Sequence, residues 1–156
     1  MQQNKWQIAQ INIGKMIGVN INDPIMKDFV DQLEEVNAIA EKSKGFVWRL
    51  KDDTNNATGI KAFDDDRLIV NMSVWETIED LEAFVYKGRH VEVMRRRREW
   101  FSKIKFYMVI WWIAAGSIPT LEEAKKKLEY LEQNGPTSYA FDFKKRFAPA
   151  EEILSK

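Results

Sequence analysis

His90 is the only histidine in the chain, so any imidazole base, and any histidine ligand to haem, must be this residue. A second set of chemically useful residues lies just upstream. Leu68 to Trp75 alternates, with Leu68, Val70, Met72 and Val74 on one face and Ile69, Asn71, Ser73 and Trp75 on the other. An amide, a hydroxyl and an indole therefore share one side of a strand. Trp6 to Met16 alternates more loosely and puts Gln10 and Asn12 on a common side. Amides can hydrogen-bond a carbonyl or stabilise an enolate or phenolate oxygen, and indoles supply flat apolar walls. On this reading His90 and Asn71 are the catalytic candidates, moving a proton and holding an oxygen. Asn12, Trp48, Ser73, Trp75 and Trp111 are the candidates for binding a small hydrophobic or aromatic molecule. Tryptophans mixed with amides suit a lined cavity. The plainer reading is a wet sheet face whose aromatics pack against a second subunit, and the two are compatible.

Each residue also has a structural reading. His90, Met94 and Phe101 fall at i, i+4 and i+11, so His90 borders a buried stripe, and a structural histidine is the favoured reading. A serine triad would need Ser73 or Ser117 nearby, and there is no G-x-S-x-G elbow. One histidine cannot make a two-histidine metal site, and no carboxylates are spaced for one, so no metal is expected. Arg95 to Arg98 is basic around a whole helical turn; it reads first as a charged helix face with Glu92 and Glu99 as local partners. A narrower reading has one arginine reach the pocket and bind an anionic ligand. Asp64 to Asp66 reads as a solvated turn, and Lys125 to Lys127 as solvated helix surface.

Composition removes whole classes. The chain has 24 basic and 24 acidic residues, so nothing global favours nucleic acid or an acidic membrane. It has no cysteine, which excludes disulfides, thiolate nucleophiles and iron–sulfur clusters and fits a reducing compartment. The N-terminus lacks a signal-peptide pattern, and the longest apolar run, Met108 to Ala115, is too short to span a bilayer. A cytoplasmic protein is expected.

The elements that must position these residues follow from pattern. Trp6–Met16 reads as a strand. Asp23-Pro24 reads as an N-cap and first helical residue of a helix to about Ser43, with Phe29, Leu33, Val36 and Ala40 as its apolar stripe. Gly45 ends it. Phe46–Leu50 is a second strand, 52–59 a polar loop, and Ile60–Phe63 a short return strand. Leu68–Trp75 leads into a helix capped by Thr77, carrying Ile78, Leu81, Phe84 and Val85. Gly88 interrupts it, and a further helical segment is expected over about 89–103, with Met94 and Phe101 on its apolar side. Phe106–Ala114 is a strand apolar on both faces, so its edge needs cover from a C-terminal strand or a partner. Pro119-Thr120 starts a third helix, Gly135-Pro136 ends it, and Tyr139–Phe147 is read as a final strand.

The core order is β-α-β-β-α-β. This is an α+β, ferredoxin-like antiparallel sheet with helices on one face, forming a single domain over 1–147 with an added C-terminal helix and strand and a tail over 148–156. The face away from the helices must meet water, a second sheet or a ligand.

The motifs VNMSVWE, RRRREWF and GPTSYAF, together with the early FVDQLEEVNAIAEKSKGFVWRL, resemble a bacterial family of unknown function. That family is similar to the antibiotic-biosynthesis monooxygenases and belongs with the dimeric α/β barrels. The resemblance covers nearly the whole chain. It implies a homodimer with two ferredoxin-like sheets facing each other and a cleft between each sheet and its helices. It also implies a cofactor-free, monooxygenase-like enzyme, with a non-catalytic ligand-binding or stress-response module as the alternative. A haem protein is a third reading. Laid on the pattern of the haem-degrading branch, Phe84 stands at the tryptophan position and Met94 at the histidine position, with His90 one turn earlier. Only Asn12 can serve as the strand asparagine, so two of three positions depart.

Overall fold

The structure is a computed structural model that describes residues 5–51, 65, 67–86, 95–102 and 107–149. Its centre is the strand β1 (Trp6–Met16), whose isoleucines and alternation suit a strand buried on both faces. Along one edge β1 pairs antiparallel with β3 (Leu68–Trp75), and β2 (Phe46–Arg49) extends the sheet beyond β3. Along the other edge β1 pairs with β5 (Met108–Ala114) and with the two-residue β4 (Phe101–Ser102). The spatial order β2-β3-β1-β5 is that of the ferredoxin-like motif.

Register decides which side chains meet. Asn12 lies opposite Asn71, Gln10 opposite Ser73 and Ile8 opposite Trp75. The polar sides of the two strands are therefore one and the same sheet face. Because the side-chain period is two, Val70, Met72 and Val74 share the opposite face with Ala9, Ile11 and Ile13.

Local signals start and stop the helices. Asp23 accepts the backbone N–H of Ile25 at 3.1 Å and of Val19 at 3.0 Å, and a single 3-10 turn (Pro24–Met26) leads into α1 (Lys27–Lys42). Gly45, at φ +82°, turns the chain after α1, and a Cβ there would lie 2.1 Å from Asp80 Oδ2. Thr77 Oγ1 accepts the N–H of Asp80 at 3.0 Å and caps α2 (Ile78–Tyr86). A single turn, α3 (Arg97–Trp100), precedes β4. Thr120 Oγ1 accepts the N–H of Glu123 at 3.1 Å and caps α4 (Leu121–Asn134).

The two core helices lie on one face, as expected. Ala40 of α1 and Ile78 and Leu81 of α2 pack there with Ile8, Trp75, Ile110 and Phe141. The added helix α4 lies on the opposite face, where Ala124, Leu128 and Leu131 cover Ala9, Ile11, Val109, Trp111 and Ile113. Burying each of those leucines contributes about 1.5–3 kcal/mol. This placement explains why β5 is apolar on both sides. One set of its residues meets α4, and the other meets the C-terminal segment around Phe141.

Two elements differ from the sequence expectation. Phe101 and Ser102 form a strand rather than continuing a helix, because Met16 and Lys15 offer the free end of β1 as a pairing partner. Tyr139–Phe147 does not form a strand. Phe141 makes one antiparallel bridge to Ile110, with N···O distances of 2.8 and 2.9 Å, and Asp142 then accepts the N–H groups of Lys144 and Lys145 and turns the chain away. That bridge covers part of the β5 edge, as does the Trp112 indole N–H bonded to the Phe147 carbonyl at 2.8 Å. The return strand over 60–63, Gly88, His90 and Met94 fall outside the described residues. No helix among the described residues is long and apolar enough to cross a membrane.

Candidate functional site

The stripe Phe29, Leu33, Val36 and Ala40 on α1 is only partly used for packing. Ala40 is buried against Trp75, while Phe29, Leu33 and Val36 stay half-buried. They stand off from the sheet, and the space beneath them is a cavity of about 150 Å³. Its floor is Asn12, Gly14, Ile69, Asn71, Ser73 and Trp75, all in phase on β1 and β3. Its roof is α1. Its ends are Phe46 and Phe84 on one side and Trp100 and Phe101 on the other. A space of this size encloses roughly one aromatic ring, and the rest of a larger flat ligand would extend through its mouth.

Trp75 is held at one end by aromatic contacts. Phe84 stacks on it at 5.2 Å between ring centroids, and Phe46 meets it edge-on at 5.5 Å. Phe29 closes the other end against Trp100 at 5.5 Å and Phe101 at 5.0 Å. Gly14 makes this closure possible. A Cβ at that position would sit 2.7 Å from Phe101 Cδ1.

The polar floor is a connected ladder. The Trp75 indole N–H donates to Ser73 Oγ at 2.9 Å. Gln10 Nε2 donates to Ser73 Oγ and to Asn71 Oδ1, each at 2.8 Å. Asn12 Nδ2 donates to Gln10 Oε1 at 3.0 Å and to Asn71 Oδ1 at 3.2 Å. An indole N–H can only donate, so Ser73 Oγ must accept, which sets the direction of the chain of bonds. Ser73 Oγ accepts twice and so keeps its hydroxyl proton to give. Asn71 accepts twice through Oδ1, and its Nδ2 donors are not used by the ladder. Gln10 is 4% exposed and Ser73 7%, yet Asn71 is exposed in the middle of a central strand. The cavity opens over it. The floor therefore offers donors, and the chemistry open to it is holding a carbonyl or stabilising an oxyanion.

Among the described residues, two arginines and no carboxylate line the cavity. Arg49 is 5% exposed, on β2 opposite Ser73, with Nε 3.4 Å from Glu41 Oε2. Arg97 comes from α3, and its guanidinium carbon lies 4.2 Å from the centre of the Tyr107 ring. Loss of water on burial pushes Arg97 below the usual arginine pKa. The other end of the arginine run behaves differently. Arg96 faces outward and binds Glu99 (Nε–Oε2 2.8 Å) and Asp28 (2.8 Å).

Of the residues expected at a site, Asn12, Asn71, Ser73 and Trp75 converge on this cavity. Trp48 and Trp111 do not, which corrects the expectation that they share a pocket with Trp75. Trp111 pairs with Ala9, the opposite parity to Ile8 and Trp75, and its N–H donates to Glu123 Oε2 of α4 at 2.8 Å. Trp48 packs with the same α4-side cluster after an irregularity between Phe46 and Trp48 shifts the register. His90 lies outside the described residues. The alternation placed the pocket on the face away from the helices, whereas it lies beneath α1, between sheet and helix, where the resemblance implied a cleft. Sequence reasoning did not count Gln10, the hub of the ladder, although its parity with Asn12 was the available signal. Gly14 carries the same parity. Nothing in the sequence marks Arg49. Among the described residues there is no group of three or more histidine, aspartate or glutamate side chains able to hold a metal.

The family model described as Domain of unknown function (DUF3291) matches residues 7–155. No curated protein matches. The chain is similar to several solved structures. One is a putative antibiotic biosynthesis monooxygenase from Nitrosomonas europaea, at 10% identity over 76% of this chain and 95% of that chain, with a TM-score of 0.45. Another is PA3566 from Pseudomonas aeruginosa, at 10% identity over 75% and 100%, with a TM-score of 0.49. A third is SnoaB, a cofactor-independent oxygenase from Streptomyces nogalater, at 14% identity over 72% and 95%, with a TM-score of 0.44. At these scores the likenesses carry no argument about reaction or ligand.

Proposed function

The chain belongs to the DUF3291 family, and from that premise we propose that it binds a small, flat, hydrophobic or aromatic molecule beneath α1, with an oxygen of that molecule on Asn71 and Ser73. One observation carries this reading: the ladder uses the Gln10 and Asn71 carbonyl oxygens internally and leaves donors on the floor of a cavity whose walls are mainly aromatic and aliphatic. Unspent donors beside apolar walls suit an acceptor oxygen on an apolar body. The test is titration with 2-acetylnaphthalene, a neutral flat ketone, followed by calorimetry. Saturable binding is expected. Asn71→Leu should weaken it by about threefold to tenfold, the value of a lost hydrogen bond. Absence of binding to the wild-type protein would remove the reading.

A catalytic form of this reading follows from the same donors. Amide and hydroxyl N–H and O–H groups stabilise an enolate or phenolate formed from the ligand, and His90 is the proposed proton acceptor. Dioxygen then takes electrons from the carbanion, one oxygen atom entering a new carbonyl and the other leaving as water. This cofactor-free oxygenase predicts oxygen consumption that His90→Ala abolishes while ligand binding persists. Binding without consumption leaves the non-catalytic module. A haem protein would show Soret absorbance on haem addition.

A second copy of the chain is the proposed partner, and the cytoplasm the proposed compartment. Because α4 already covers the sheet face over β1 and β5, the dimer interface would lie elsewhere. Light scattering at micromolar concentration should give a dimer mass; a monomer mass would end that proposal. We also propose that 1–147 is one domain and 148–156 a tail.

A further inference from the structure

We propose that the natural ligand of the cavity is an organic anion, an aromatic or similarly flat body whose negative group is held by Arg97. This rests on the cavity reading above and adds the charge class of the ligand. Four observations lead to it.

Among the described residues the cavity lining contains two arginines and no acidic side chain. Its floor offers an amide and a hydroxyl as donors. An anion is the one class of ligand that every one of these groups favours.

Arg97 is half-buried, and among the described residues no carboxylate pairs with it. Glu99, just after the run, and Asp28 of α1 are both taken by Arg96. Desolvation without an opposing charge is unfavourable, in keeping with the downward push on the Arg97 pKa. A bound anion removes that penalty.

The Tyr107 ring lies 4.2 Å from the guanidinium carbon. A cation–π contact of this kind uses none of the five N–H donors of the group. The fork thus keeps its donors for a carboxylate, sulfonate or phenolate edge.

Within the run, Arg95 and Arg98 are exposed and Arg96 is ion-paired outward. Arg97 alone of the four lines the cavity. A run that reads as surface charge places one member inside.

The experiment compares two ligands of nearly equal shape, naphthalene-2-carboxylate and 2-acetylnaphthalene, by calorimetry at low ionic strength. The carboxylate should bind roughly tenfold tighter, the value of a charge-assisted hydrogen bond. Arg97→Gln should bring the carboxylate's affinity down to that of the ketone measured on the same variant, and Arg97→Lys should keep part of the preference. Binding of the ketone with no preference for the carboxylate overturns the anion inference and leaves the cavity reading standing. A preference that survives in Arg97→Gln overturns the assignment to Arg97. Binding of neither ligand overturns the cavity reading and this inference together.

Discussion

The Trp75 indole N–H and the Ser73 hydroxyl, two residues apart on β3, meet at 2.9 Å on the floor of the cavity. That bond ties the largest aromatic wall of the site to its polar floor. It also fixes the hydroxyl oxygen as an acceptor, and through Gln10 it sets the direction of the whole ladder.

Ser73→Ala should therefore cost more than a single exposed serine would. It leaves the buried Trp75 N–H without its acceptor and removes one of two acceptors from Gln10. A loss of about 1–3 kcal/mol is expected. Urea denaturation followed by circular dichroism reads it; an unchanged midpoint would contradict the ladder.

Trp111→Phe separates the two faces of the sheet. It removes the 2.8 Å bond to Glu123 and so should loosen α4 against β5. Thermal stability should fall, while affinity for 2-acetylnaphthalene should stay as in the wild type. A large loss of affinity would place Trp111 in the ligand site after all.

Gly14→Ala should act at a distance of one side chain. The new Cβ would fall 2.7 Å from Phe101 Cδ1, so that ring must move toward Phe29 or out of its place. A destabilisation of about 1–3 kcal/mol is expected, with reduced ligand affinity. Adding Phe101→Leu to Gly14→Ala should recover part of the stability, which a double-mutant cycle in urea would show.

Acid should weaken the link between α1 and α3. The hydrogen bond from Arg96 holds Asp28 and Glu99 below their ordinary values of 3.8 and 4.5. Groups with a depressed folded pKa contribute stability that is full above the unfolded value and is lost as pH falls through the folded one. The thermal midpoint should thus drop as pH falls below those ordinary values, and Arg96→Ala should flatten that part of the curve. These groups are exposed, so the slope should also shrink in high salt.

Much of the fold was legible in the sequence because it depends on local chemistry. Asp23 and Thr120 sit where a helix start needs an acceptor: Thr120 caps α4, and Asp23 caps the 3-10 turn that leads into α1. The alternation of β3 put Asn71, Ser73 and Trp75 on a common face, and they share it. The apolar stripe of α1 named four residues that line the cavity. Legibility ended where the answer depended on a distant partner. Phe101 has helical company in sequence but a free stretch of β1 beside it in space. Tyr139–Phe147 alternates like a strand, yet Asp142 turns the chain after one bridge.

Residue types and their two-residue period thus determined which side chains lie together on each strand, and which residues cap the helices. They could not determine which sheet face meets which helix, because a strand with both sides apolar reads the same either way up. Tertiary structure decided that α4 takes the face of Trp111 and α1 the face of Trp75. It decided, too, that α1 stands off from the sheet over Asn71, with Arg97 brought in from a run that looks like surface. Periodicity is carried by neighbours a few residues apart, whereas a cavity is made by groups from seven elements that meet only when the chain is folded.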